Sequence, residues 1–207
     1  PEASGAYAIA LGGAALSSGT GAVALGYDSK ATGSHSFAGP NSTATGLYSV
    51  SLGIGSPAGT YSGARGSGSV AIGEGARAST SGSLAIGKAS VSEGSNASAI
   101  GQSLASGQQA FAASIGSNSS SYGAQSTHSV AIGYHAYAHT EHSAMAIGYN
   151  AQSSSNMGIS LGLNARSSLG QGAIALGQSN ARGYNGLAAA IASNSTSYGS
   201  QHDNGVA

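Results

Sequence analysis

The chain has no cysteine and no tryptophan, only two Phe and three Pro, and just twelve charged side chains in 207 residues, six of each sign. Absence of cysteine removes disulfides and thiolate metal sites, and it suits a chain that crosses an oxidising compartment without cross-linking itself. An ordinary soluble domain is about one quarter charged. At 6% charged and a formal net charge of zero, this one has no electrostatic footprint for nucleic acid or for an anionic membrane surface, so neither is expected as a partner. No run approaches the roughly eighteen consecutive apolar residues of a membrane-spanning helix. Apolar residues make up 40% of the total, but Ala is so large a share that there is little bulk for a conventional enzyme core.

What is abundant is glycine, 35 residues of it, and it falls at regular intervals. A five-residue unit of the form small, apolar, Ala/Ser, Ile/Leu, Gly recurs from Ala8-Ile9-Ala10-Leu11-Gly12 to Ala173-Ile174-Ala175-Leu176-Gly177. Ala112 to Gly116 is one of the regular copies, and Ser36 to Pro40 and Ala188 to Ala192 are two looser ones, giving thirteen in all. Measured at the fifth position, the spacings are 14, 14, 13, 20, 14, 14, 15, 17, 15, 14, 15 and 15, so fourteen is the basic period. Apolar residues at positions two and four, as in Val70 and Ile72 or Val130 and Ile132, alternate with period two, which predicts a short strand ended by Gly. A second alternation of small residues follows at positions eight and ten: Ser29 and Ala31, Ala76 and Ala78, Ser90 and Ser92, Ala136 and Ala138. Each period therefore holds two strands and two turns. Coils of that kind stacked at about 4.8 Å form an all-β parallel β-roll, or solenoid, spanning residues 1–207 as a single region of about thirteen coils.

Position three is Ala or Ser in every copy, and position four is Ile or Leu in all but the copy containing Gly39. Restriction of both faces predicts that both are buried. The preferred assignment places the larger positions two and four inside the roll and the small position three against another subunit; the reverse, with a very thin Ala interior and Val and Ile outside, is the alternative. Either way a single roll has one inside, so the second face requires another chain and an obligate oligomer is expected.

Ser69-Val70-Ala71-Ile72-Gly73 and Ser129-Val130-Ala131-Ile132-Gly133, each followed by a small residue at position eight, resemble the Ser-Val-Ala-Ile-Gly repeat of YadA-like trimeric autotransporter adhesin heads. The resemblance covers essentially the whole chain. It implies a left-handed parallel β-roll assembled as a homotrimer on a bacterial outer surface, carried by a coiled-coil stalk and a membrane-anchoring barrel outside these residues. It also implies attachment to host extracellular-matrix proteins such as collagen, fibronectin or laminin, or of cells to one another, with no direct membrane contact by the head. A longer repeat, Ser117 to Gln125, returns as Ser193 to Gln201, and the chain stops at Gly205-Val206-Ala207 inside a motif, which predicts that the natural protein continues with Ile or Leu and Gly. The 20-residue spacing places an insertion near 54–68, where Pro57 forbids a ladder donor.

No enzymatic constellation emerges. The acids Glu2, Asp28, Glu74, Glu93, Glu141 and Asp203 are scattered; no phosphate loop or nucleophile elbow stands out from the Gly/Ser background; and two Asp are too few for calcium-binding β-roll repeats. No cofactor or metal is expected. Ice binding is a rival, weakened by nine Thr that share no strand position, and a purely structural spacer is another. The local cluster Tyr134-His135-Ala136-Tyr137-Ala138-His139 supplies the candidate ligand contacts: with Ala136 and Ala138 inward, His135, Tyr137 and His139 line one outward face. Tyr134 and Tyr149 share position six in adjacent coils and should stack, completing the candidate set. The Asn-x-Ser/Thr sites at Asn41, Asn96, Asn118 and Asn194 are expected by chance in so Ser-rich a chain.

Overall fold

The computed structural model describes residues 1–53, 63–113, 116, 121–140, 142–189 and 199–207. Most of the 54–68 insertion, Pro57 included, lies outside them, as do Glu141, Asn118 and Asn194. The chain forms two compact units, Pro1–Gln102 and Ser103–Ala207. Both are all-β and built alike, as a parallel β-solenoid in which strands of alternating parity join one of two sheets. In the first unit one sheet runs from Ile9–Leu11 to Ser98–Ile100 and the other from Glu2–Ala3 to Val91–Ser92. In the second unit the corresponding strands run from Phe111–Ala113 to Leu187–Ala189 and from Leu104–Ala105 to Asn180–Ala181.

Register puts like on like. Val70, Ala71 and Ile72 pair with Leu84, Ala85 and Ile86 of the next coil, and Val130, Ala131 and Ile132 with Met145, Ala146 and Ile147. The inward column is position three: Ala24, Ala85, Ala99, Ala131 and Ala146 are fully buried, as are Ala31, Ala78 and Ala138 from the facing strands. Positions two and four turn outward, half-buried along the sheet and as much as 53% and 67% exposed at Ile9 and Leu11. The preferred face assignment is thus reversed. The interior is too narrow for Val or Ile, and its largest fully buried side chains are serines. Each buried methyl contributes about 0.8 kcal/mol, so a core of Ala is held by many small increments.

Two copies of the unit also lie two residues earlier than the sequence suggests. Phe111, Ala112 and Ala113 pair with Val130, Ala131 and Ile132, and Leu187, Ala188 and Ala189 with Ile174, Ala175 and Leu176. A shift of two keeps the same face inward, and here it sets Phe111 and Leu187 in the outward apolar column. Both copies adjoin the long repeat, which has a third relative. Gly63, Gly123 and Gly199 share positive φ values of 105°, 102° and 94°, and a Cβ at each would fall 2.1–2.2 Å from the carbonyl oxygen of Thr43, Leu104 or Asn180.

The turns explain much of the remaining pattern. Each coil turns twice, with a left-handed residue at each corner. Asp28, Asn41, His135, Asn150 and Asn164 occupy one corner, and His35, Tyr48, Asn96 and His128 the other, at φ between 49° and 56°. Asn, Asp and His tolerate that region better than most residues, which gives Asn41 and Asn96 a structural role. Three residues after the turn glycine, a serine hydroxyl often folds back on its carbonyl: Ser29 on Gly26, Ser36 on Gly33, Ser49 on Gly46. That hydrogen bond is why Ser and Ala interchange beside an apolar interior.

The fifth-position glycines combine a large positive φ with contact to the coil above. At Gly87 φ is 113° and a Cβ would sit 2.9 Å from the Gly101 Cα, whereas at Gly68 φ is 64° and a Cβ would meet nothing within 4 Å. Gly87→Ala should therefore cost about 2–5 kcal/mol and Gly68→Ala only about 1–2 kcal/mol. Denaturant unfolding followed by circular dichroism checks the difference; equal losses would mean that stacking imposes nothing beyond the turn conformation.

Candidate functional site

The outer face of the second sheet in the Ser103–Ala207 unit differs in kind from the apolar outer face of the first. In-register pairing sets Tyr137, Gln152, Arg166 and Asn180 in one column across successive coils. The preceding corner sets His135, Asn150 and Asn164 beside it, all left-handed, with the backbone N–H groups of Asn150 and Asn164 donating to the backbone carbonyls of Tyr134 and Tyr149. Period-two alternation buries Ala136, Ala138, Ala151, Ser153, Ala165 and Ser167 behind them, which turns Tyr137, Gln152 and Arg166 outward, while Asn180 in the same column is itself buried.

The sequence-predicted residues divide into two groups. Tyr134 and Tyr149 stack with ring centroids 5.4 Å apart, as their shared position requires. His135 belongs to that stack: it sits in the turn rather than on the strand Tyr137–Ala138, 3.9 Å from the Tyr134 ring and 4.1 Å from that of Tyr122 at an interplanar angle of 4°. Tyr137 and His139 form a separate stacked pair at 5.2 Å. Gly116 accommodates Tyr134, since a Cβ there would fall 2.5 Å from its ring. Among the described residues, no three His or acidic side chains converge as a metal site would require.

Tyr122, Asn150, Gln152, Asn164 and Arg166 were not singled out in the sequence, yet with His135 they line one shallow depression. For Asn150, Gln152, Asn164 and Arg166 the signal was positional, since only reading positions seven and nine down successive coils brings them together, whereas Tyr122 belongs to the long repeat and directly precedes Gly123, the register partner of Tyr137. Arg166 donates through Nε and Nη2 to Gln152 Oε1, at 3.1 and 2.7 Å, across one coil. By contrast, the ion pairs among the described residues all lie in the other unit: Lys30 with Asp28, Lys88 with Glu74, and Arg77 with Glu93. Glu74 and Lys88 are one period apart in sequence, so their meeting follows from the coil spacing.

Burial raises the Tyr137 phenol above its ordinary value of 10.0. Above pH 10 the unfolded chain loses this proton before the folded chain does, so the contribution to stability is complete below pH 10 and declines as pH rises past it. An ultraviolet phenolate titration of the native chain against Tyr137→Phe should show the missing component ionising late; an ordinary midpoint for it would remove the effect. Tyr134 stacks on two rings, each pair contributing about 0.5–1.5 kcal/mol beyond burial. Tyr134→Ala should therefore lower unfolding free energy by about 1–3 kcal/mol and reduce near-ultraviolet circular dichroism, while an unchanged spectrum would mean that the rings are not held together.

The chain matches a family model described as the YadA head domain repeat at residues 3–29, 17–38, 39–56, 64–90, 81–103, 124–151 and 140–165. No curated protein matches it. The matched segments cover well over half of the chain and carry the strand, Gly-turn and small-residue pattern seen in both units, and the chain belongs to the YadA head domain family.

Proposed function

We propose that this chain is the exposed head of a bacterial trimeric autotransporter adhesin, three left-handed rolls side by side, attaching the cell to extracellular-matrix proteins of the collagen, fibronectin or laminin class or to neighbouring cells. The observation that carries the reading is the outward apolar column pair. Phe111, Val130, Met145 and Ile159 lie in one ladder and Ile132, Ile147 and Leu161 in the next, all of them half-buried on the outward face of the sheet. A continuous apolar face of that kind marks an interaction surface. These residues are only half-buried, whereas the fully buried side chains among the described residues are Ala and Ser, so covering this face would bury further apolar surface. Three copies closing on one another would cover it and leave the polar sheets outward. Contacts on those sheets would repeat three times per head, so weak individual binding multiplies by avidity without a deep pocket.

Sedimentation equilibrium of this chain should give a mass near three times 19.6 kDa, about 59 kDa. Ile132→Lys, at a half-buried outward position, should dissociate the trimer while leaving each roll folded. Its binding to immobilised collagen, fibronectin or laminin should fall by about a hundredfold or more if avidity operates. A folded monomer in the native chain would remove the trimer from this reading. A trimer that binds none of these proteins and does not aggregate cells would make the head a spacer.

A further inference from the structure

The described acids of the Pro1–Gln102 unit include three held in ion pairs, whereas the only two Arg or Lys residues of the Ser103–Ala207 unit, Arg166 and Arg182, have no carboxylate within ion-pair distance among the described residues. Both line one groove on the outer second sheet, together with Ser154, Ser168 and Asn180. That groove shares Gln152 and Arg166 with the depression walled by Tyr122 and His135, so the two are one continuous surface. From the coil of His135 to the coil of Arg182 it spans three coil steps, about 14 Å. Arg166 spends two of its five N–H groups on Gln152 Oε1, which fixes the guanidinium plane against the sheet and leaves the others for a ligand.

We propose that this groove binds an acidic oligosaccharide, a run of linked sugar rings carrying sulfate or carboxylate groups. Each component of the lining fits such a chain. The guanidiniums take the anionic groups in forked hydrogen bonds. Columns of amide and hydroxyl side chains, repeated at one coil spacing, donate to and accept from sugar hydroxyls. The stacked Tyr122 and His135 rings form a wall against which the C–H face of a sugar ring can rest. The groove has no deep apolar recess of the kind that anchors a protein hot spot. A polymer with its own regular repeat matches a surface built from a regular repeat. Arg182 stands two positions beyond Asn180, the register partner of Arg166, so the two charges are offset and can engage separate anionic groups.

The inference goes beyond the adhesin reading and does not need it, because it concerns one face of one chain. Binding of a heparin oligosaccharide, a hyaluronan oligosaccharide of equal length and a neutral maltooligosaccharide is measured by titration calorimetry on the full chain at low and physiological salt. At least one acidic probe should bind and the neutral one should not, with affinity falling as salt rises. A sulfated-only or carboxylated-only result supports the proposal and identifies the anion. Arg166→Gln and Arg182→Gln should each lose about tenfold or more, the Lys variants of the same positions should retain part of the affinity if a Gln variant folds poorly, and Tyr122→Ala should weaken binding without altering its salt dependence. Arg65→Gln, which removes an exposed cation from the other unit, should change nothing. No binding of either acidic probe, or an equal loss with Arg65→Gln, would overturn the proposal. Matrix-protein binding that survives Arg166→Gln and Arg182→Gln separates this site from the adhesin reading; loss of protein binding alone, with no glycan effect, would assign the groove to a protein instead.

Discussion

Two sheets that face each other across a gap only one methyl or hydroxymethyl group deep leave no room for variation inside. Among the described residues of both units the fully buried side chains are Ala and Ser, and the in-register pairing stacks small on small, Ala85 on Ala71 and Ser92 on Ala78. A γ-carbon on the inner face would prise the sheets apart along several coils, since interiors are close-packed and strain passes to neighbours. The serine hydroxyls meet this constraint by turning onto nearby carbonyls: Ser17 onto that of Ala22, Ser92 onto that of Ala97 and Ser153 onto that of Gly158, across the width of the roll. Thinness also explains why apolar bulk lies outside. Among the described residues, no Val, Ile or Leu side chain is fully buried between the sheets.

Stacking like on like bears equally on charge. In a parallel in-register array, an ionised group repeated in each coil would lie about 4.8 Å from its own copy, and like charges directly opposite are destabilising. Among the described residues, Glu74 meets Lys88 of opposite sign across one coil, and the like charges Arg166 and Arg182 on neighbouring coils are offset in register rather than directly opposite. Polar columns are filled by Asn, Gln, Ser and Tyr, which tolerate self-stacking and can gain from it. Tyr134 on Tyr149 and Gln152 beside Arg166 are examples.

The two-strand coil, its parallel stacking and the inward pairs such as Ala136 and Ala138 were legible because period two and period fourteen are both written in residue size. The inside-outside assignment was not, because alternation alone states that two sets of residues face opposite ways and not which set is enclosed. Only the volume available between the sheets decides that. The displaced strands at Phe111–Ala113 and Leu187–Ala189 were misplaced for a related reason: a shift of two residues preserves the alternation, so the Gly at the end is a poor ruler beside a longer segment. Among the candidate contacts, the Tyr134–Tyr149 stack followed directly from spacing, whereas Tyr122 beside His135 depended on a corner residue whose left-handed backbone turns its ring along the stack.

Within each unit, the partner of nearly every strand is the one a single coil away, some fourteen residues along the chain. Closing a loop of that size costs little more than closing one of half the length, about 0.6 kcal/mol for the doubling. Once one coil pair exists, each further coil adds its hydrogen bonds and its methyl contacts against the same small entropy, so growth proceeds by nearest-neighbour addition as in other repeat proteins. Such a chain can fold progressively from one end as it is delivered, with no distant segment to wait for.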